Sequence, residues 1–337
     1  MQKILVIQTA FIGDVVLATA LLEKLAQYYP TAQIDFLVRK GNESLLENNP
    51  HLHEVLVWNK KENKLRNLFA TLAKIRKNRY DMVINLQRFF ATGLLTAFSK
   101  ANQTIGFDKN PLSFLFSKKV KHVIAKENGI KHEVERNNDL IRSFTDDLFT
   151  RPKLYPAESD FTAVQHFSHI PYVTMTPNSV WFTKQYPAEK WIELMNHFPL
   201  EYKIYLLGGK ENIADCVQLK KSSSNANVEV LTGKLSFLQS AALMKNAAMN
   251  YVNDSSPLHF ASAMNAPVTA IFCSTVPAFG FTPLSDHSYI IETTETLTCR
   301  PCGLHGYKAC PMGHFKCALT IETDRLIETL LKPAAIA

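Results

Sequence analysis

The chain has 337 residues, of which 46% are apolar and 20% charged, a composition that excludes an intrinsically disordered protein and predicts about two domains. Lysine and arginine outnumber aspartate and glutamate by 37 to 30, and the formal charge of +7 favours an anionic partner such as a phosphate, a nucleotide or an anionic lipid surface. No apolar stretch reaches the ~18 residues that a membrane span needs and no signal segment is evident, so we expect a cytosolic protein with reduced cysteines.

The first half of the chain alternates short apolar runs with helix-like segments. Strands are predicted at Lys3–Gln8, Ile34–Arg39, Glu54–Trp58 and Met82–Leu86, and helices at Val15–Tyr29, Asn42–Asn48 and Lys64–Asn78. This alternation predicts βαβ units and a parallel sheet.

A proline-containing segment, Thr145–Pro171, breaks this pattern and is predicted to be a linker. The alternation then restarts, with strands at Tyr172–Thr176, Lys203–Leu207, Val228–Leu231, Met249–Val252 and Val268–Phe272, and helices at Ala188–His197, Ile213–Ser222, Phe237–Lys245 and Leu258–Met264. We therefore predict two successive α/β domains, residues 1–160 and 170–320, and a closing helix within residues 321–337.

Several polar residues follow predicted strands directly. Open parallel sheets bind ligands beyond the carboxyl ends of their strands, so Asp14, Gly208, Gly209 and Asp254 are predicted to lie on binding edges. This placement indicates sites without naming a reaction.

The segment Thr9–Asp14 has a glycine, Gly13, where a helix begins, which suits the close approach of an anion to backbone N–H groups. Asp14 has two interpretations. It is either a first-turn acid that complements the helix dipole, or a general base whose pKa is raised by apolar neighbours such as Phe11 and Val15.

The second half carries the residues that suit a nucleotide diphosphate. Lys184 precedes a helix and could neutralise a diphosphate, or could be a solvated loop lysine. Glu211, after Gly208 and Gly209, could accept hydrogen bonds from ribose hydroxyls, or could be an exposed acid beside a turn.

Two further strand-to-helix loops have the same ambiguity. The loop of Leu235 could contact a base through its backbone, although Ser236 as an N-cap explains it without a function. Ser255 and Ser256 before a helix form a phosphate cradle, the alternative being an ordinary capped helix with a buried His259.

The cysteine pattern Cys299-x2-Cys302-x7-Cys310-x6-Cys317 is typical of a structural zinc loop, but only its first pair is tightly spaced. Packed, reduced thiols are the alternative. The basic run Lys118–His122, with Arg88, Lys100 and Lys109 upstream, is either a solvated face or a surface for an anionic acceptor or membrane headgroups. Nucleic acid is not expected, because the positive charge is dispersed and no stacking pattern accompanies it.

Taken together, these motifs resemble glycosyltransferase family 9, the lipopolysaccharide heptosyltransferases, most of all the heptosyltransferase II branch. The resemblance rests on the order and spacing of five segments: Ile12–Leu17, Lys184–Trp191, Leu206–Gly209, Asn253–His259 and His132–Arg136, with the cysteine-rich tail. Two departures stand out: Ser256 replaces the usual glycine of the family's D-T-G motif, and Tyr186 replaces a common tryptophan.

The resemblance implies an α/β fold of the GT-B class, with two Rossmann-like domains facing across a cleft. It implies that Asp14 is the general base and that Lys184 stabilises the leaving diphosphate. It further implies acceptor binding by Thr9, Gly13, Arg88, His132 and Arg136, and donor binding by Ser179, Gly208, Gly209, Glu211, Leu235, Asp254, Ser255, Ser256 and His259.

The expected function is inverting transfer of a heptose from ADP-heptose, or a similar nucleotide sugar, to a lipopolysaccharide precursor. No cofactor is expected for the chemistry, and the protein is expected to contact the anionic inner face of the cytoplasmic membrane peripherally. Two alternatives remain: a sugar-nucleotide epimerase of GT-B fold, and a non-catalytic protein that binds a nucleotide sugar or glycan.

Overall fold

The computed structural model describes residues 2–126 and 129–331, and its contacts divide the chain after Tyr155 into two compact units, residues 1–155 and 156–337. Each unit contains one six-stranded sheet in which neighbouring strands are parallel. Numbered within its own unit, each sheet has the strand order 3-2-1-4-5-6. This is the order of a Rossmann fold, in which the connections reverse direction between the first and fourth strands.

The first sheet has the order β3-β2-β1-β4-β5-β6, and a short antiparallel pair, β7 and β8, follows it. Its strands are β1 (Lys3–Ile7), β2 (Gln33–Arg39), β3 (Leu52–Trp58), β4 (Met82–Asn85), β5 (Gln103–Phe107) and β6 (Lys118–Val120), and the pair is β7 (Ala125–Lys126) and β8 (Gly129–Ile130). The helices of this unit are α1 (Ile12–Tyr28), α2 (Lys64–Asn78), α3 (Phe90–Ala97) and α4 (Glu133–Asp139).

The second sheet has the order β11-β10-β9-β12-β13-β14. Its strands are β9 (Tyr172–Thr176), β10 (Lys203–Leu206), β11 (Val228–Val230), β12 (Met249–Asn253), β13 (Val268–Phe272) and β14 (Ser288–Glu292). The helices of this unit are α5 (Glu158–Gln165), α6 (Ala188–His197), α7 (Ile213–Ser222), α8 (Phe237–Asn246), α9 (Ser256–Met264), α10 (Lys316–Leu319) and α11 (Thr323–Leu331).

The strands β4, β9, β12 and β13 are buried along their whole length, as expected where helices cover both faces of a parallel sheet. Every strand that the sequence predicts is present, within one or two residues at its ends. The terminal helix is also present, and Thr329 of α11 hydrogen-bonds to Thr269 of β13, so this helix belongs to the second unit.

The prediction of a linker at Thr145–Pro171 is wrong in one part, because this segment contains the helix α5. This helix packs against α8, buries Val164, and has Lys245 of α8 5.4 Å above the ring of Phe161. The apolar stripe of α5 is too short for hydrophobic periodicity in the sequence to indicate a helix. Within the ranges that the structure describes, no helix combines the length and the apolar character needed to cross a membrane.

Candidate functional site

Asp14 lies in the first turn of α1, immediately beyond β1. Its Oδ2 accepts a hydrogen bond from the backbone N–H of Phe11 (3.1 Å), which is the contact expected of a first-turn acid. The pKa of Asp14 is raised to about 6, chiefly by burial and also by the negative charge of Glu133, while hydrogen bonds from backbone N–H groups and the charge of Arg39 oppose the shift. Such a carboxylate is mostly ionised at neutral pH and still able to take up a proton, so the geometry suits a general base as well as a cap.

The loop that carries Asp14 is fixed by side chains from the ends of three other strands. The Thr9 hydroxyl donates to Gln87 Oε1 (2.5 Å), after β4. The Lys60 ammonium, after β3, donates to the Thr9 carbonyl (2.8 Å), and Asn42 Nδ2, after β2, donates to the Ala10 carbonyl (3.1 Å). Thr9 is only 1% exposed, so its hydroxyl is buried and these contacts give Thr9 a structural role in the loop.

Two cations near this loop were missed by sequence reasoning. The Arg39 guanidinium lies 5.0 Å above the ring of Phe11, and the Lys60 ammonium lies 4.7 Å above the ring of Trp58. Burial, together with the charge of Arg39, lowers the pKa of Lys60 to about 8. Arg39 ends β2 and Lys60 follows β3, so the rule that placed Asp14 on the carboxyl edge of the sheet would have found them too.

The predicted acceptor residues of α4 are buried. Arg136 is 3% exposed, and its Nε donates to Glu133 Oε2 (2.7 Å), because the guanidinium would otherwise be buried without a counter-charge. His132 caps the helix, with Nδ1 accepting from the N–H of Val134 (3.1 Å). Because α4 packs against α1, these contacts hold Glu133 near Asp14.

The remaining predicted acceptor residues differ in exposure. Gly13 is buried in the first turn of α1. Arg88 is exposed directly beyond β4. Of the acceptor set, Arg88 is therefore the cation that the first unit presents to solvent, and the acceptor roles stay predictions.

In the second unit, the structure joins two residues that the sequence separates by 70 positions. Lys184 Nζ lies 2.7 Å from Asp254 Oδ2, and both side chains are largely buried, at 15% and 7% exposed. The Thr275 hydroxyl donates to the same carboxylate oxygen (2.6 Å). Lys184 follows β9, Asp254 follows β12 and Thr275 follows β13, so Asp254 holds the ammonium at the carboxyl edge of the sheet. Spacing gives no sign of this pair or of Thr275.

The N-terminus of α9 lies on the same edge, directly beyond β12. Ser255 is its extended N-cap residue, Ser256 begins the helix, and both are half-buried. His259 is 5% exposed, as the alternative interpretation of this segment predicts. The amide groups and the dipole of a helix start favour an anion, so this end can hold a phosphate.

The loops that follow β10 and β11 both contain glycines, and these two loops contact each other. The N–H of Gly233 donates to the carbonyl of Gly208 (3.0 Å). A Cβ on Gly209 would come within 2.5 Å of the Glu211 carboxylate oxygens, so this carboxylate lies against bare backbone. Glu211 is exposed and Leu235 is half-buried.

Two local contacts complete this edge. Ser236 Oγ accepts from the N–H of Gln239 (3.1 Å), so its predicted capping role is confirmed. The carbonyl of Ser179 accepts from Gln185 Nε2 (2.6 Å), which closes the loop that carries Lys184. The donor candidates therefore all lie at the carboxyl edge of the second sheet, although their donor roles stay predictions.

The six cysteines all lie among the described residues and are free thiols. Burial raises the pKa of Cys317 to about 11 and also raises that of Cys302, with smaller effects from Cys299 and Cys310. Cys299 Sγ lies 3.8 Å from His314 Nε2. Across residues 2–126 and 129–331, no three His, Cys, Asp or Glu side chains are arranged to hold a metal ion. Of the two interpretations of the cysteine pattern, the structural zinc loop stays a prediction.

Comparisons with known proteins identify the family of the chain. The family model described as glycosyltransferase family 9 (heptosyltransferase) matches residues 68–307. The chain is 26% identical to lipopolysaccharide heptosyltransferase 3 of Escherichia coli over 79% of this chain and 82% of that protein. It is 25% identical to lipopolysaccharide heptosyltransferase 2 of Escherichia coli K12 over 98% and 97%.

A solved structure shows the same fold. The E. coli ADP-heptose LPS heptosyltransferase II superposes with a TM-score of 0.81 at 22% identity, covering 98% of both chains. The GT-B class expected from the motifs is thereby confirmed. The chain belongs to glycosyltransferase family 9 (heptosyltransferase) and is a glycosyltransferase.

Proposed function

We propose that this glycosyltransferase moves a heptose, or a closely similar sugar, from an ADP-linked donor to the inner core of a lipopolysaccharide precursor, with inversion at the anomeric carbon and without a metal. The acceptor binds the first unit and the nucleotide sugar binds the second. The names of the relatives support the sugar and the acceptor. The residues at the two sheet edges support the chemistry.

The observation that carries the proposal is the Asp14 carboxylate. It lies at the carboxyl edge of the first sheet, with a pKa raised to about 6 chiefly by burial. In the proposed step, Asp14 takes the proton of the acceptor hydroxyl as that oxygen forms a bond to the anomeric carbon. The bond from that carbon to the diphosphate oxygen breaks, and ADP leaves with the electron pair. A single displacement of this kind inverts the anomeric centre.

The leaving diphosphate needs positive charge, and Lys184 supplies it. Asp254 and Thr275 fix the ammonium in place, and the N-terminus of α9 adds N–H donors on the same edge. Fixed charges aimed at the developing negative charge can contribute a rate factor of roughly 10²–10³. Because Lys184 fills the electrostatic role that a divalent cation has in other transferases, we expect transfer to continue in a chelator.

A surface of the first unit supports contact with the membrane that carries a lipid-linked acceptor. Four large apolar side chains are exposed beyond β4 and β5, at fractions of 65, 57, 70 and 45%: Phe89, Phe90, Phe114 and Leu115. Asn110 joins the two loops, because its Nδ2 donates to the carbonyls of Gln87 and Phe89 (both 3.1 Å). Exposed Arg88 and Lys109 lie beside these groups, and aromatic and cationic side chains together favour an anionic lipid interface.

The first test measures ADP release from ADP-heptose, with and without a deep-rough lipopolysaccharide acceptor, in EDTA. Acceptor-dependent release is expected from the wild type, and Asp14→Asn should abolish it while ADP still binds. Asp160→Asn is the matched control, because Asp160 occupies the same position of α5 and accepts from the N–H of Ala157 (2.9 Å) as Asp14 accepts from Phe11.

Each outcome separates the candidates. Release that does not require acceptor would favour an epimerase or a hydrolase over a transferase. Tight binding of ADP-heptose without turnover under any acceptor would favour a binding protein. Near wild-type transfer by Asp14→Asn would remove Asp14 as the base, and loss of transfer in EDTA that Mg²⁺ restores would overturn metal independence.

Membrane contact is tested by sedimentation with vesicles that contain phosphatidylglycerol, at low and high salt. Phe89→Ser with Phe114→Ser should weaken binding, and salt should weaken it further, because surface charges are screened over about 8–10 Å at physiological ionic strength. Leu200→Ser is the control, since Leu200 is 70% exposed in the second unit. Equal binding by the control and the double variant would remove this surface from the proposal.

A further inference from the structure

We propose that the loop between β14 and α10, residues 293–315, is a clamp that positions the Lys184–Asp254 pair. This loop contains Cys299, Cys302 and Cys310 and is called the cysteine loop below. The inference rests on the proposed role of Lys184 in the reaction. The proposed role of the cysteine loop differs from both earlier interpretations of the cysteine pattern, a metal site and a cluster of packed thiols.

One arm of the cysteine loop holds the segment that follows β13. The N–H of Cys302 donates to the carbonyl of Ser274 (2.9 Å), and Arg300 Nη2 donates to the carbonyls of Thr275 (2.7 Å) and Phe272 (3.2 Å). Thr275 in turn donates its hydroxyl to Asp254. This arm therefore fixes the group that orients the carboxylate.

The other arm holds the turn that carries Lys184. The N–H of Thr183 donates to the carbonyl of Tyr307 (3.1 Å), and the N–H of Tyr307 donates back to Thr183 Oγ1 (2.8 Å). Phe182, on the same turn, stacks on Phe315 with ring centroids 5.2 Å apart. This arm therefore fixes the backbone on which the ammonium is carried.

The two segments that the arms hold are joined by a buried hydrogen bond. Ser274 Oγ donates to Thr183 Oγ1 (3.0 Å), and these residues are 0% and 1% exposed. Thr183 Oγ1 thus accepts from Ser274, in the segment after β13, and from Tyr307 of the cysteine loop. The Lys184–Asp254 ion pair is a second link between the same two segments, so a displacement of either arm moves one partner of that pair.

Gly306 of the cysteine loop lies against the side chains of Thr183 and Lys184. It is buried, has φ of +79°, and a Cβ placed there would lie 2.9 Å from Thr183 Oγ1 and 3.0 Å from Lys184 Cγ. A side chain at this position must therefore displace the Thr183 hydroxyl and the Lys184 side chain. Gly313 lies in the same loop with φ of +72°, but it is exposed and a Cβ there would meet nothing within 4 Å.

These two glycines make a matched experiment. Gly306→Ala and Gly313→Ala introduce the same backbone strain, and only Gly306→Ala also displaces Lys184. We expect Gly306→Ala to lower kcat roughly tenfold to a hundredfold, the range that follows a small misplacement of a catalytic group. Gly313→Ala should keep a kcat near that of the wild type.

Trp181 gives a readout that does not depend on activity. It is half-buried and its carbonyl accepts from the N–H of Lys184 (3.0 Å), whereas the other two tryptophans, Trp58 and Trp191, are each 1% exposed. Acrylamide therefore quenches chiefly Trp181. Quenching should increase in Gly306→Ala and not in Gly313→Ala.

A double-mutant cycle shows whether the effect acts through the lysine. In a Lys184→Ala background, Gly306→Ala should cause little further loss, because the group that it displaces is already gone. A full multiplicative loss in that background, or unchanged quenching and kcat in Gly306→Ala, would overturn the clamp. Wild-type transfer by Lys184→Ala would instead overturn the proposed role of Lys184, while the quenching result would still decide the clamp.

If Gly306→Ala does not fold, Thr183 provides the second test. Thr183→Val removes the oxygen that accepts from both Ser274 and Tyr307, and Thr183→Ser keeps it. The inference requires loss of kcat and increased Trp181 quenching in the valine variant, with recovery of both in the serine variant. Equal behaviour of the two variants would show that the joined hydrogen bonds have no positioning role.

Discussion

The two units have the same strand order, but they differ in the contact that links the loops at the point where the connections reverse direction. That point lies between β1 and β4 in the first sheet and between β9 and β12 in the second. In the first unit, the neutral Thr9–Gln87 hydrogen bond crosses between the loops of β1 and β4, and Asp14 accepts from backbone N–H groups. In the second unit, the Lys184–Asp254 ion pair crosses between the loops of β9 and β12. One aspartate is thus left able to take up a proton, and the other is committed to holding a cation. The same fold supplies a base or a fixed charge according to what its loops place beside a carboxylate.

Asp14→Asn is expected to have the largest effect on the reaction. Removing a general base typically costs roughly 10²–10⁴-fold in rate. Because the folded pKa of about 6 lies above the ordinary value of 3.8, ionised Asp14 destabilises the folded state, fully so above pH 6. Asp14→Asn should therefore lose transfer yet unfold no more easily than the wild type at pH 7.5, as measured by initial rates and by chemical unfolding.

Asp254→Asn is the same substitution at the other reversal point, and its effect on stability should have the opposite sign. It removes the partner of a largely buried ammonium, which costs about 2–3 kcal/mol of unfolding free energy for a pair with some solvent access. Transfer should also fall, because Lys184 loses its orientation. Chemical unfolding of Asp14→Asn and Asp254→Asn under the same conditions measures this difference in stability. A stabilised Asp254→Asn variant would contradict the prediction.

The asparagines that end β4 and β12 sharpen the comparison, since Asn85 and Asn253 are both 0% exposed. Asn253 accepts from the N–H of Tyr186 and donates to the carbonyls of Thr176 and Pro177. Asn85 accepts from one N–H, and its Nδ2 bonds to none of the described residues.

Asn253→Ala should therefore destabilise by about 2–3 kcal/mol and Asn85→Ala by about 1 kcal/mol, because unsatisfied buried groups cost more than a lost hydrogen bond. The cavity left by each substitution is alike, so the difference reports on hydrogen bonding. Equal shifts in the midpoints of chemical unfolding would mean that these bonds do not distinguish the two units.

The sequence is sufficient for the strands at the sheet centres and for the edge on which the site lies. Apolar runs such as Ile4–Ile7, which are too short for a helix and alternate with helix-like segments, are typical of buried strands, and Asp14 and Asp254 follow strands directly. The edge strand β6 escapes this reasoning because its Lys118–Val120 sequence has the charge of a solvated face, a common feature of exposed sheet edges.

Contacts between distant positions could not be predicted. Lys184 meets Asp254 only because β9 and β12 are neighbours in the sheet, and a single sequence does not give that order. The same holds for Glu133, which α4 brings near Asp14. The motif around Glu133 predicts acceptor binding by Arg136, and it gives no sign that Arg136 also donates a hydrogen bond to Glu133.

Glu133 supports the smallest and most specific prediction, a shift in the acid limb of the pH–rate profile. Activity as kcat/KM should fall below about pH 6 as Asp14 becomes protonated. Since the charge of Glu133 raises the pKa of Asp14 and that of Arg39 lowers it, Glu133→Gln should move the limb to lower pH and Arg39→Gln to higher pH. Asp139→Asn, which removes another paired carboxylate of α4, is the control and should leave the limb in place. Shifts of the same sign in both variants would mean that general disruption, and not charge beside Asp14, sets the pH at which the base is lost.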